Sequence, residues 1–268
     1  MNKISTEFSI YQPRFKKVSA DFFSNNKINH SSQLVKIQHD INQIIPIFPS
    51  FFIVGGCLRD FILTKPISDI DILIPVSSSS SFYYHLPSFL EKLNANFSDI
   101  TVITKGDFIQ TNCSYLDSNF DLEGIIKVKD SKLNYNIDLL FPSTNVTKYL
   151  QSFNLDISCI FHEYKSNSLN SLDSFCDNTY ISNEFYDNFH YKRLTIQKSS
   201  QYIISSIGNN FDLFIKYFNK IKNKYSDFSF DDNELNFLSK KQIQEFHYYI
   251  LNENLPKKDF LKNKYTKI

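Results

Sequence analysis

Hydrophobic and polar positions follow two different periods along this chain. Leu34, Ile37, Ile41, Ile44 and Ile45 recur at helical spacing behind Ser31 and Ser32, either of which can cap a helix that Pro46 and Pro49 end. Phe51 to Val54 is a short continuous apolar run and predicts a strand, and Cys57 to Leu63 predicts a short helix after it. Ile67 to Val76 predicts a second strand, interrupted by Asp69 and Asp71 at a period of two. Ser77 to Ser81 predicts a flexible polar loop. Pro87 to Leu93 predicts a helix with Phe89, Leu90 and Leu93 on one side and the proline near its start, and Ile100 to Thr104 a strand. After a short piece at Cys113 to Leu116, Gly124 to Val128 and Leu133 to Phe141 predict a hairpin across Asp130-Ser131-Lys132.

A short helix near Thr144 to Gln151 leads into Phe153-Asn154-Leu155-Asp156-Ile157, and residues 163–192, rich in Asn, Ser and Tyr, predict irregular chain. Two helical stretches follow, with Phe211, Phe214, Ile215, Phe218 and Ile221 on one apolar stripe and Leu235, Leu238, Ile243, Phe246 and Ile250 on another. Residues 1–30 mix polar and aromatic side chains without a period and predict an irregular arm. The expected organisation is that arm, a sheet-rich head over 31–192 and a helical region over 193–268.

Composition changes this picture little. At 268 residues the chain can bury a substantial core, carried by Phe, Tyr, Ile and Leu, with no Trp and five Gly. A formal net charge of +1 argues against a general nucleic-acid coat and leaves room for a local basic patch. Cys57, Cys113, Cys159 and Cys176 form no Cys-x-x-Cys pair, which fits neither a zinc module nor a small disulfide scaffold and suits a reducing compartment. The polar N-terminus has no apolar leader core and no run approaches membrane-spanning length, so a cytoplasmic protein without membrane contact is expected.

The chemistry concentrates in Phe52-Ile53-Val54-Gly55-Gly56-Cys57-Leu58-Arg59-Asp60 and, after eight residues, Asp69-Ile70-Asp71-Ile72-Leu73-Ile74. Alternation puts Asp69 and Asp71 on one face of their strand. Two carboxylates so close repel unless a positive charge sits between them, and a hard divalent cation bound through oxygen is the natural filler. The glycines let backbone N–H groups and a helix start approach an anion. A metal site beside a phosphate site points to phosphoryl or nucleotidyl transfer. Elsewhere, His162 and His190 have no partner at metal-ligand spacing, and Asp121 and Glu123 beside Asp117 read as a solvated loop. The lysines of the tail, Lys257, Lys258, Lys262, Lys264 and Lys267, read as a solvated end able to touch an RNA backbone.

Val-Gly-Gly-x-x-Arg-Asp, a short spacer with a proline, then Asp-Ile-Asp-Ile resembles the head of template-independent nucleotidyltransferases related to CCA-adding enzymes and bacterial poly(A) polymerases, in the polymerase-β-like superfamily. That resemblance implies an α+β mixed sheet with helices on one side. It also implies two Mg²⁺ held by Asp69, Asp71 and an acidic residue of a neighbouring strand, with transfer of a nucleotide from a triphosphate to an acceptor hydroxyl. Asp138 is the candidate third carboxylate; Asn136 shares its face, and the family's acid aligns with either position. Gly55 and Gly56 would cradle phosphates, and Arg59 would reach a triphosphate or pair with a carboxylate while Asp60 orients the turn. Ser68, standing where the family has lysine, would donate a hydrogen bond to the nucleotide.

Phe153 to Ile157 resembles the Phe-Asp-Leu-Asp segment of related heads, with Asn154 replacing an acid and Asp156 kept as a nucleotide-binding or site-shaping residue. Arg193 either faces the phosphates or makes a surface salt bridge. About a hundred residues after Asp156 and no Glu-Asp-x-x-Arg segment speak against a complete CCA-adding enzyme. The expected acceptor is an RNA 3′ end such as that of tRNA, or else a protein or small molecule. The competing expectation is a non-catalytic descendant that binds nucleotide or RNA.

Overall fold

The computed structural model describes residues 15–19, 30–44, 51–105, 122–131, 133–150, 153, 155–165, 167–196, 211–230, 238 and 242. Its elements are β1 (Phe15–Lys17), α1 (His30–Ile44), β2 (Phe51–Val54), α2 (Gly56–Ile62), β3 (Asp69–Leu73), α3 (Ser79–Asn96), β4 (Asp99–Thr104), β5 (Leu122–Lys129), β6 (Asn136–Pro142) and α4 (Val146–Leu150). After a 3₁₀ turn at Asp156–Ser158 come β7 (Ile160–Tyr164), α5 (Leu172–Asn178), β8 (Thr179–Ser182), α6 (Asn183–His190), β9 (Arg193–Leu194), α7 (Phe211–Lys224) and β10 (Ser229–Phe230).

Eight strands form one sheet in the order β1-β8-β7-β2-β3-β6-β5-β4. The β3–β6 pair is parallel and the other pairs are antiparallel, so the sheet is mixed and the fold is α+β. Alternation along the strands sorts side chains cleanly between its two faces. Phe51, Ile53, Ile70, Ile72, Ile126, Val128, Ile137 and Leu139 enter the larger core, which α1, α2, α3, α5, α6 and α7 cover. Phe52, Val54, Leu73, Ile125 and Leu140 face the other way, into a smaller cluster closed by Val146, Tyr149 and Leu150 of α4. Phe214, Phe218, Ile221 and Tyr225, from α7 and the turn after it, belong to the same large cluster as the head, so the buried core runs through the residue 192 position without a break.

Several local expectations are corrected. The serine run is not a loop up to Ser81: Ser78 caps α3 by accepting from the Ser81 N–H at 3.2 Å, and the helix continues through Pro87 to Asn96. The 163–192 stretch is not irregular but holds most of β7's end, α5, β8 and α6. Its serines punctuate rather than disorder it, since Ser171 caps α5 and Ser182 caps α6. Within the expected arm, Phe15–Lys17 forms the edge strand on β8, with Phe15 opposite Ser182. α2, α4 and the first C-terminal helix stand where the periodicity put them, whereas α1 starts at His30, ahead of the expected Ser31 or Ser32 cap, and the second strand of the hairpin starts at Asn136 and not at Leu133. Cys113 to Leu116, Asn154 and the lysine tail lie outside the described residues, as does the Leu235–Ile250 stripe apart from Leu238 and Gln242. Cys57, Cys159 and Cys176 are buried free thiols. Among the described residues no helix is long and apolar enough to cross a membrane.

His162 is wholly buried on β7, its ring nitrogens 2.8 Å from Thr179 Oγ1 and 2.8 Å from Ser168 Oγ, and it stacks on Phe175. Burial first, then Lys165, lowers its pKa to about 3. Because the folded value lies below the ordinary 6.5, the unfolded chain takes up the proton first. Stability therefore falls as pH drops from about 6.5 toward 3, and His162→Gln flattens that part of a denaturation-midpoint-versus-pH curve.

Candidate active site

Four positions form a square on the sheet face that carries the smaller cluster. In the parallel β3–β6 register Asp69 lies opposite Asn136 and Asp71 opposite Asp138. Asp138 and Asn136 are thus both beside the Asp-x-Asp pair, one rung apart. Along the same face the apolar rows of Leu73 and Leu140 stop where the carboxylates begin, and Tyr149 of α4 is buried beneath them. The nearness of these charges alters the proton affinity of the groups among them. Burial, then Asp69 and Asp138, push Asp71 well above the usual carboxylate range against the pull of Lys127 and Arg59. Burial, then Asp71 and Asp138, raise the Tyr149 phenol as well.

The Gly-Gly turn reaches this square because β2 is antiparallel to β3 with Val54 opposite Asp71, so the chain leaves the sheet level with the aspartates. Gly55 has φ +70°, and a Cβ there would sit 2.9 Å from the Phe153 ring, so glycine is demanded twice over. The Phe153 ring thus packs against the turn. The Gly55 N–H donates to Ile160 O at 3.0 Å, so an anion at the turn meets the N–H groups at the start of α2 rather than that of Gly55. Cys57 packs behind the turn, its thiol pushed well up by burial and by Asp71, in keeping with a packing role.

Arg59 takes the carboxylate of its two expected alternatives. It is 7% exposed and donates from Nε to Asp60 Oδ1 at 3.0 Å and from Nη1 to Ser158 Oγ at 2.6 Å, with its guanidinium 4.8 Å from the Tyr225 ring centroid. Asp60 also accepts from Lys224 Nζ and the Tyr225 hydroxyl, joining α2 to α7 and the turn after it. Ser68 donates to Asp69 Oδ1, while Lys65 lies 3.9 Å from Asp227. Asp156 Oδ2 accepts from Thr195 Oγ1 at 2.8 Å, and its N–H donates to Thr195 O at 3.2 Å. That places Asp156 at a joint between the 3₁₀ turn and the segment after β9. Arg193, on β9, lies over the Tyr191 ring at 4.9 Å. Glu123 corrects the solvated-loop expectation: it is 4% exposed on β5 and binds Ser79 Oγ and Lys105 Nζ, the latter at 3.3 Å.

The residue that sequence reasoning missed is Lys127. It stands opposite Asp138 on β5, with Nζ 3.4 Å from Oδ2. The hairpin was readable, but a turn at Asp130-Ser131-Lys132 would have set Lys127 opposite Tyr135; the longer connection from Lys129 to Asn136 is what faces the lysine toward the acid. As the side chains lie, no three His, Cys, Asp or Glu groups among the described residues close on one point as a metal cage would. Asp69 is turned to Ser68 and Asp138 to Lys127. The donor set nonetheless fits Mg²⁺: hard carboxylate oxygens on adjacent strands, with Asp69 and Asp138 close enough to raise the proton affinity of Asp71.

A Gly-Gly turn beside carboxylates on neighbouring parallel strands of a mixed sheet is the arrangement that the resemblance to nucleotidyltransferase heads implies. More narrowly, residues 51–136 match the family model of the poly A polymerase head domain. Comparison with curated proteins gives no significant match. Among solved structures the chain is similar to the Thermotoga maritima CCA-adding enzyme complexed with tRNA, at 13% identity over 91% of this chain and 52% of that one, with a TM-score of 0.47. A CCA-adding enzyme complexed with CTP gives 12%, 93%, 53% and 0.47 for the same quantities, and a tRNA-processing enzyme in an apo form gives 13%, 89%, 63% and 0.47. The chain spans about half the length of the first two of these structures.

Proposed function

We propose that this protein moves a nucleoside monophosphate from a triphosphate to an acceptor hydroxyl, releasing pyrophosphate, with an RNA 3′ end as the acceptor. The observation that carries the reading is the facing pair Asp71 and Asp138 on parallel strands, level with the Gly-Gly turn. Asp69, Asp71 and Asp138 would hold two Mg²⁺, which when bound lower the pKa of the attacking hydroxyl and neutralise charge on the leaving pyrophosphate. The N–H groups at the start of α2 receive phosphate oxygens, and Ser68 keeps Asp69 oriented at the rim. Arg59 serves this site from within, holding the turn through Asp60 and Ser158. RNA and nucleotides accompany proteins of similar chain trace, namely CCA-adding enzymes complexed with tRNA, CTP and ATP. The head at 31–192 and the helical region at 193–268 would then act as one body, through the core they share.

A second reading, a descendant that binds nucleotide or RNA without turnover, is favoured by the neutral Asn136 opposite Asp69. Incubation with Mg²⁺, total RNA and each of four labelled triphosphates separates the two. Labelled RNA supports the RNA acceptor, labelled protein replaces it, and no label favours the second reading. Within that assay Asp138→Asn lowers the rate on the order of a hundredfold, as loss of a metal-holding carboxylate should, and Asn136→Asp changes it far less. The reverse order would move the third carboxylate to the other rung.

A further inference from the structure

Lys127, Asp138 and Asp71 lie in one row across β5, β6 and β3, on the face where Asp69 and Asn136 flank them. The lysine is not a loose surface cation. Its side chain is 28% exposed against 13% for Asp138, and its amine lies 3.4 Å from Oδ2 on the floor of the sheet. A carboxylate lone pair engaged by an ammonium is a poorer ligand for a second cation, and a half-buried pair is screened less than a surface one. This arrangement also accounts for why the three aspartates do not converge in the structure: the row already contains a positive charge, and it is bound to the acid that the metal reading needs.

We propose that Lys127 competes with the divalent metal for Asp138, acting as a positioning residue that occupies the third carboxylate until the cation displaces it. The inference rests on the metal-site reading above. It makes the metal affinity of the nucleotide-free protein a property of β5 as much as of the aspartates.

Mn²⁺ binding to the 268-residue chain without nucleotide, followed by the electron paramagnetic resonance of free Mn²⁺, tests it. Lys127→Met should tighten binding on the order of tenfold, the size of one unit charge removed near a partly screened site. Lys127→Gln should act in the same direction, and Lys127→Arg should stay near wild type. In an Asp138→Asn background, Lys127→Met should bring no gain. Unchanged or weaker Mn²⁺ binding in both neutral variants, or a gain that survives Asp138→Asn, overturns the competition. If wild type binds Mn²⁺, loses it with Asp69→Ala, and ignores Lys127, the metal site stands and the competition falls. If no variant binds Mn²⁺ even with a triphosphate present, both fall together.

Discussion

Replacing Asp69 and Asp71 together by alanine should abolish incorporation of a labelled nucleoside triphosphate, a loss of at least about a thousandfold, while the protein stays folded. The kinetic half follows from chemistry: metal ions contribute several kilocalories per mole of charge stabilisation to such a reaction, and these two side chains are the pair that alternation turns to one face. The structural half follows from electrostatics. Asp69 is exposed and Asp71 half-buried, and neither fills the core. Asp71's carboxyl is raised by burial and by its acidic neighbours, so its ionised form weakens the fold. The sign is that of a raised carboxylate: the penalty is absent below the unfolded value and grows as pH climbs toward the folded one. At neutral pH the double variant should therefore melt at or above the wild-type temperature, with the difference shrinking as the medium is acidified. Undiminished incorporation by a well-folded variant would end the catalytic assignment. Lost incorporation with a lowered melting temperature would assign the aspartates to structure instead.

The parts of this site that were legible in the sequence are those whose neighbours lie close along the chain. Gly55-Gly56 and Asp69-x-Asp71 declare themselves because a turn and a period of two are local geometry. Asp138 could be singled out as an acid in an apolar strand. Its choice over Asn136 was not available, since both share a face and the parallel β3–β6 register that sets their rungs joins residues far apart. Lys127 escaped notice because a lysine in a strand looks like any solvated position until its cross-strand partner is known.

Arg59 illustrates the opposite limit. Its place after the glycines suits a phosphate contact, but the face of α2 it occupies is claimed by Lys224 and Tyr225, 164 and 165 residues beyond Asp60. The serine-rich segments were misjudged for a simpler reason. Composition treats Ser and Asn as loop formers, whereas Ser78, Ser171 and Ser182 each accept the backbone N–H that starts a helix.

The same long-range contact makes Asp60 the residue whose loss should cost the fold most. Asp60 is 3% exposed and binds the Arg59 guanidinium, the Lys224 amine and the Tyr225 hydroxyl. Asp60→Asn keeps the volume but removes the charge, leaving the Arg59 guanidinium, itself 7% exposed, without a counter-ion. That residue cannot escape by giving up its proton, because a guanidinium stays protonated in a protein even when its counter-ion is gone. Breaking a buried pair on one side costs about 3 to 5 kcal/mol, and urea denaturation should show a loss of that size with an unchanged slope. Lys224→Met should cost only about 1 kcal/mol, because that side chain is 26% exposed and its removal leaves Asp60 its other two partners. If the two variants lose equally little, the contact between α2 and α7 is incidental. If Asp60→Asn loses the larger amount, the helix after residue 210 is part of what holds the Gly-Gly turn in place, since Arg59 links Asp60 both to Ser158 and, with Nη2 3.3 Å from where a Gly56 Cβ would stand, to the turn itself.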